Sequence, residues 1–234
     1  MKKNLSLKKI LAAVAIVISP FLIVAQTQMV FSSKPFQKGG SEQKEFIWNT
    51  PIYGKININK PLKNYAKKID DYAMEKLHIS GVYSSYISLY CIPTDEDIDR
   101  RTNVEITLYL TDSELEKNVI NIDIMPNEKD ATTFYGTGFS DELAKMGIVQ
   151  YDAETEKTVG KKTEFKIYLH ENLPSVSNEE LGEKNGRIVL NSGIYIFLGS
   201  LIVNYTTVTD SREIGEWKDR CTNITDSIHS KYEK

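Results

Sequence analysis

Apolar residues fall at every second position in NVEITLYLT and NVINIDIM. Val104, Ile106, Leu108 and Leu110 share one face of the first, and Ile120, Ile122 and Ile124 one face of the second. That period marks strands with one buried side. VYSSYISLYCI shows the same period, with Tyr83, Ser85, Ile87, Leu89 and Cys91 assigned to the core and Ser84, Tyr86, Ser88 and Tyr90 to the other face. With TDSELEK as a turn, the three segments predict an antiparallel meander. EFIWNTPIYGKINI places Phe46, Trp48, Ile52, Ile56 and Ile58 on strands that Pro51 interrupts. IVQY and EFKIYLH read as a further hairpin pair. Residues 187–208, rich in β-branched side chains, predict the central strands, with turns or bulges at Ser192-Gly193 and Gly199-Ser200.

Two segments carry helical spacing instead. In 61–77, Leu62, Tyr65, Ala66, Ile69, Tyr72, Ala73 and Leu77 form one stripe, with Asn59 as a cap and Pro61 suited to the first turn. Near the end, Ile214, Trp217, Cys221, Ile224 and Ile228 recur at spacings of three and four behind an Asp210/Glu213 pair that resembles a capping box. Ser140 caps a shorter helix that ends at Gly147. The expected fold is α+β: a mostly antiparallel sheet with two main amphipathic helices packed on it, in a single domain over residues 45–234. Residues 26–44, with the Ser-, Gly-, Lys- and Gln-rich run 32–44, read as a flexible leader.

The N-terminus changes the picture. Four lysines without an acid precede an apolar run over 10–25, and Gln26 restores polarity. That is the plan of a secretory signal peptide over 1–25, with cleavage after Ala25 and a periplasmic or secreted product. A retained anchor is the alternative, and only then is a membrane a partner. Removing the four lysines takes the formal net charge from −3 to −7. An acidic exported chain is unsuited to nucleic acid, whose phosphates require clustered Lys and Arg. Export also permits a disulfide. Cys91 and Cys221 both point inward in these assignments, so a helix-to-sheet bridge is geometrically reasonable; two buried thiols are the alternative.

Candidate chemistry is sparse. Asp95, Asp97 and Asp99 match the first, third and fifth positions of a calcium loop, but the sixth is Arg100 and the twelfth Ile106, so the segment reads as a charged hairpin loop. Two glycines before the Ser140 helix meet Asp141 and Glu142 rather than a cation, which argues against a phosphate cradle. His78, His170 and His229 stand apart from any ligand-spaced partner. His170, beside Glu171, is the one candidate acid-base residue. Tyr86 and Tyr90, interleaved with Ser84 and Ser88, are candidates for a peptide- or sugar-contacting face, against a packed second layer. The expectation is therefore an exported non-enzymatic binding protein without a cofactor. Its partner would be an envelope or extracellular protein, peptide or glycan. The alternative is a hydrolase assembled by the fold around His170, Glu171 and an acid from the Asp95 loop.

Overall fold

A computed structural model describes residues 27–69, 83–94, 104–131, 139, 143–144, 150–152, 157–171, 187–190, 193–208 and 210–229. In chain order the strands are β1 (Gln28–Ser32), β2 (Glu45–Ile47), β3 (Ile52–Asn57), β4 (Lys67–Lys68), β5 (Ser85–Pro93) and β6 (Val104–Leu110). They continue as β7 (Val119–Met125), β8 (Gln150–Asp152), β9 (Lys157–Val159), β10 (Lys162–Glu171), β11 (Arg187–Leu190) and β12 (Gly193–Asn204). The helices are α1 (Asp112–Leu115) and α2 (Ser211–His229).

The larger sheet curls into a half-barrel. Long antiparallel ladders join β12 to β10, β10 to β5 and β5 to β6. Beyond β12, β11 pairs with residues 193–196 and β2 pairs in parallel with 202–204. A second sheet, ordered β1-β3-β7, is antiparallel throughout. One core joins the two sheets. Ile87, Leu89, Cys91, Ile106, Leu108, Leu110, Phe165, Ile167 and Leu169 face it from the large sheet, and Met29, Phe31, Ile52, Ile56, Ile120, Ile122 and Ile124 from the small one. The inward assignments of Ile87, Leu89, Cys91, Ile106, Leu108 and Leu110 hold because every second side chain of a strand must leave water together.

The sheets meet at Gly199. A Cβ there would stand 2.5 Å from the carbonyl oxygen of Met29, so β1 crosses β12 where the latter has no side chain. The ladder of β12 with β10 shifts register at the same level, between Ile167 and Tyr168. The irregularity expected at Gly199-Ser200 is thus a bulge within one long strand, not a turn. Helix α2 closes the core from the remaining side with Ile214, Trp217 and Cys221 buried. Asp210 starts it by accepting the backbone N–H of Arg212 on Oδ1 at 2.9 Å.

Several expectations are corrected. The fold is mostly β, and among the described residues α2 is the one helix of seven or more residues, so two main helices on a sheet is not the architecture. In the expected 61–77 helix, Leu62–Asn64 is a 3-10 turn and Lys67–Lys68 is β4, paired with Ser85 and Tyr86. Its later residues lie outside the described ones. Helical spacing at 62, 65, 66 and 69 also fits a turn that buries Leu62, Tyr65 and Ile69 one after another, so the pattern did not discriminate. The meander stops at β6: after α1, β7 leaves for the small sheet and pairs with β3. IVQY does not pair with EFKIYLH; β8 pairs with β9, while β10 lies between β5 and β12. Nor are residues 26–44 wholly a leader, since β1 inserts Met29, Val30, Phe31 and Ser32 into buried positions.

Two glycine substitutions test this packing in opposite directions. Gly199→Ala, which forces β1 off β12, should cost about 1–3 kcal/mol in urea unfolding. Gly215→Ala, on α2 with open space around the new methyl, should stabilise by about 0.5–1 kcal/mol.

Candidate functional site

The end of the fold beside α2 carries a groove of about 630 Å³. Its floor is apolar, built from Met125 at the end of β7, Trp217 and Cys221 on α2, and the half-buried Ile224. Pro51 and Pro126 add walls without a backbone donor. The rim is polar: Asn49 and Thr50 from the β2–β3 turn, Asn127 and Glu128 after β7, and Arg220, Asn223 and Ser227 on α2. On α2 these polar residues sit one step around the cylinder from the buried stripe, which is why helix periodicity places floor and rim side by side.

The β2–β3 turn is fixed by its own bonds. Thr50 donates through its backbone N–H and its hydroxyl to the Ile47 carbonyl, at 3.2 and 2.5 Å. Asn49 adopts φ 65°, a left-handed conformation that asparagine tolerates better than most residues. Arg220 reaches across the rim and donates to Asn49 Oδ1. The neighbouring Trp48 donates Nε1–H to Thr207 at 2.8 Å and meets Trp217 edge-on, with ring centroids 6.2 Å apart. Asn127 is occupied by its own turn, accepting from the backbone of Lys129 and Asp130 and donating to the Asp130 carboxylate. Asp130 is bound in turn by Lys38 at 2.6 Å, and this pair holds its carboxyl below the ordinary range.

The two cysteines, for which a bridge and two buried thiols are the alternatives, are both buried and both belong to the main core, on β5 and α2 as assigned. They are not joined in a disulfide in this structure. Burial pushes the Cys221 thiol up to about 11, so it has little thiolate character at neutral pH despite lining the groove.

His170 lies on the outer face of the large sheet, opposite Tyr195 on β12 and stacked on its ring at 4.8 Å between centroids. Burial first, and Lys67 second, lower its pKa, while Glu105 opposes them. Among the described residues no carboxylate or nucleophile is hydrogen-bonded to its ring. Glu171, the next residue of β10, alternates to the other face. The structure does not bring these two candidates together with the groove.

Tyr90 is only 8% exposed and stacks on Tyr195 at 5.0 Å, in a satellite cluster with Tyr168. Tyr86 is half-buried and packs beside Ile69 and Tyr83. On the outer face these tyrosine rings thus pack on neighbouring side chains. Asp95, Asp97 and Asp99, His78, Gly136, Gly138 and Ser140 lie outside the described residues, as does the side chain of His229. Among the described residues, no group of three His, Cys, Asp or Glu is placed to hold a metal ion.

No family model, curated protein or solved structure matches the chain. Sequence reasoning missed Asn49, Glu128, Arg220 and Asn223. The available signal was the polar shoulder Arg220, Asn223 and Ser227 beside the apolar stripe, but a stripe assigned wholly to packing gave no reason to look there.

Two measurements check these environments. Alkylation of the protein in denaturant without reductant should label both thiols, whereas folded protein at pH 8 should label neither quickly; an unlabelled denatured protein would mean a bridge. His170 should titrate below the usual histidine range by NMR. Because its folded pKa is depressed, the unfolded chain takes up the proton first, so stability falls as pH drops below about 6.5. His170→Phe should flatten that acid loss.

Proposed function

We propose that this chain is an exported, non-enzymatic binding protein that holds its ligand in the groove beside α2. The observation that carries the reading is the groove itself: a buried apolar floor ringed by amide, hydroxyl and single charged groups, of a volume that suits small organic ligands. Binding and orientation are what such a lining does. Among the described residues the groove lining supplies no histidine and no paired acids for proton transfer.

Export rests on residues 1–25, with their lysine-rich start and apolar run ending at Ala25. Among the described residues no helix is long and apolar enough to cross a membrane. A ligand met outside the cytoplasm, whether free or as part of an envelope or extracellular protein, fits this reading. Nucleic acid does not, for the chain is acidic once residues 1–25 are removed.

Two experiments test the proposal. N-terminal sequencing of protein taken from its native envelope should begin at Gln26, and an intact N-terminus in the membrane fraction would replace export with anchoring. Asn223→Trp places an indole in the groove from an exposed helix position, so stability should stay within about 0.5 kcal/mol. Mass spectrometry of the material co-purifying with wild type should reveal a component that the variant loses. Equal retention by both would mean that the groove is not the binding site.

A further inference from the structure

Among the described residues, the groove rim carries charges from different elements, Arg220 from α2 and Glu128 from the turn after β7. Arg220 donates one bond, to the neutral carboxamide of Asn49. Among the described residues no carboxylate pairs with it, although guanidinium carries five donors and matches a carboxylate with two of them at once. Glu128 likewise forms no ion pair or hydrogen bond among the described residues. By contrast, Lys38, Lys63 and Lys162 are each paired with an acid. Glu213, Glu216 and Asp219 line a second, shallower depression that shares Arg220, Asn49 and Asn223 with the groove. Among the described residues that line the groove itself, Arg220 and Glu128 are the charged ones.

Resting on the binding reading above, we propose that the groove takes a short peptide with both termini free and an apolar side chain. Arg220 receives the peptide's carboxylate, Glu128 its ammonium group, and the Trp217–Ile224 floor its aliphatic or aromatic side chain. The carboxamides of Asn49 and Asn223, which can both donate and accept, face the peptide bonds between. A groove of about 630 Å³ suits a peptide of a few residues and not the segment of a folded partner, which would need a far broader surface. Zwitterion recognition follows from the charge pair. Either charge alone would equally serve a fatty acid or an amine.

Isothermal titration of the mature protein with trileucine, its N-acetyl form, its C-terminal amide and the doubly capped form tests this. Free trileucine should bind best, and each cap should weaken binding about tenfold as a charge-assisted contact is lost. Arg220→Gln should erase the preference against the amide alone, and Glu128→Gln the preference against the acetyl form alone. A merely structural role for either residue would weaken all four ligands alike. Equal binding of the doubly capped and free peptides would overturn the zwitterion assignment and leave the groove as a binding site. So would no binding of any form while Asn223→Trp still removes the native component. If the Asn223→Trp variant also retains that component, both proposals fail together.

Discussion

The backbone of β1 lies against the backbone of β12 at Gly199, and the placing of the remaining elements follows from that contact. With any side chain at this position, Met29 would be held off β12 and the small sheet would lift from the curl of the large one. Because the approach is close, Met29 and Phe31 reach the same core as Leu198, Leu201 and Val203. The β12–β10 register shift at the same level lets the large sheet bend there, since a bulge adds local twist. A curled sheet cannot close its own trough. The opening is filled by α2 on one side and by the small sheet on the other.

That arrangement explains why a groove forms beside α2. The helix must put Ile214, Trp217 and Cys221 into the trough, burial worth about 1.5–3 kcal/mol for each large apolar side chain. Its next turns, with Ile224 half-buried, run out past the end of β7 and the β2–β3 turn. The groove is the space between the helix and these segments. The turn at Asn49 is held in a left-handed conformation and bonded to Arg220, which fixes this part of the rim. Trp48, tied to Thr207 and set edge-on to Trp217, braces the same corner.

The outer face of the large sheet illustrates how one residue type serves different ends. Tyr90, Tyr168 and Tyr195 pack on one another and His170 stacks on the last, giving an aromatic layer in which burial raises Tyr195 to about 12. Desolvation in that setting disfavours the charged form of the histidine. Its ring contact is with Tyr195, and the charges of Lys67 and Glu105 act on it from nearby. In the groove, by contrast, the polar groups stand at the edge of an apolar floor.

What the sequence determined by itself is local. Alternation fixed the inward faces of β5 and β6 because a one-residue slip would expose every apolar side chain, and spacing of three and four fixed α2 with Trp217 and Cys221 inward. Pro51 separated β2 from β3 because it offers no ladder donor. The tertiary structure alone decided which strands pair. Sequence adjacency suggested that β7 follows β6, but β3 and the small sheet offered it burial on a second core surface. It also decided that 62–69 becomes a turn and a short strand, since apolar residues at those positions satisfy either geometry and β5 supplied an edge to pair with. The groove was invisible in the sequence for the same reason. Asn49, Glu128, Arg220 and Asn223 are ordinary polar residues on three separate segments, and only the crossing at Gly199 and the docking of α2 bring them around one floor.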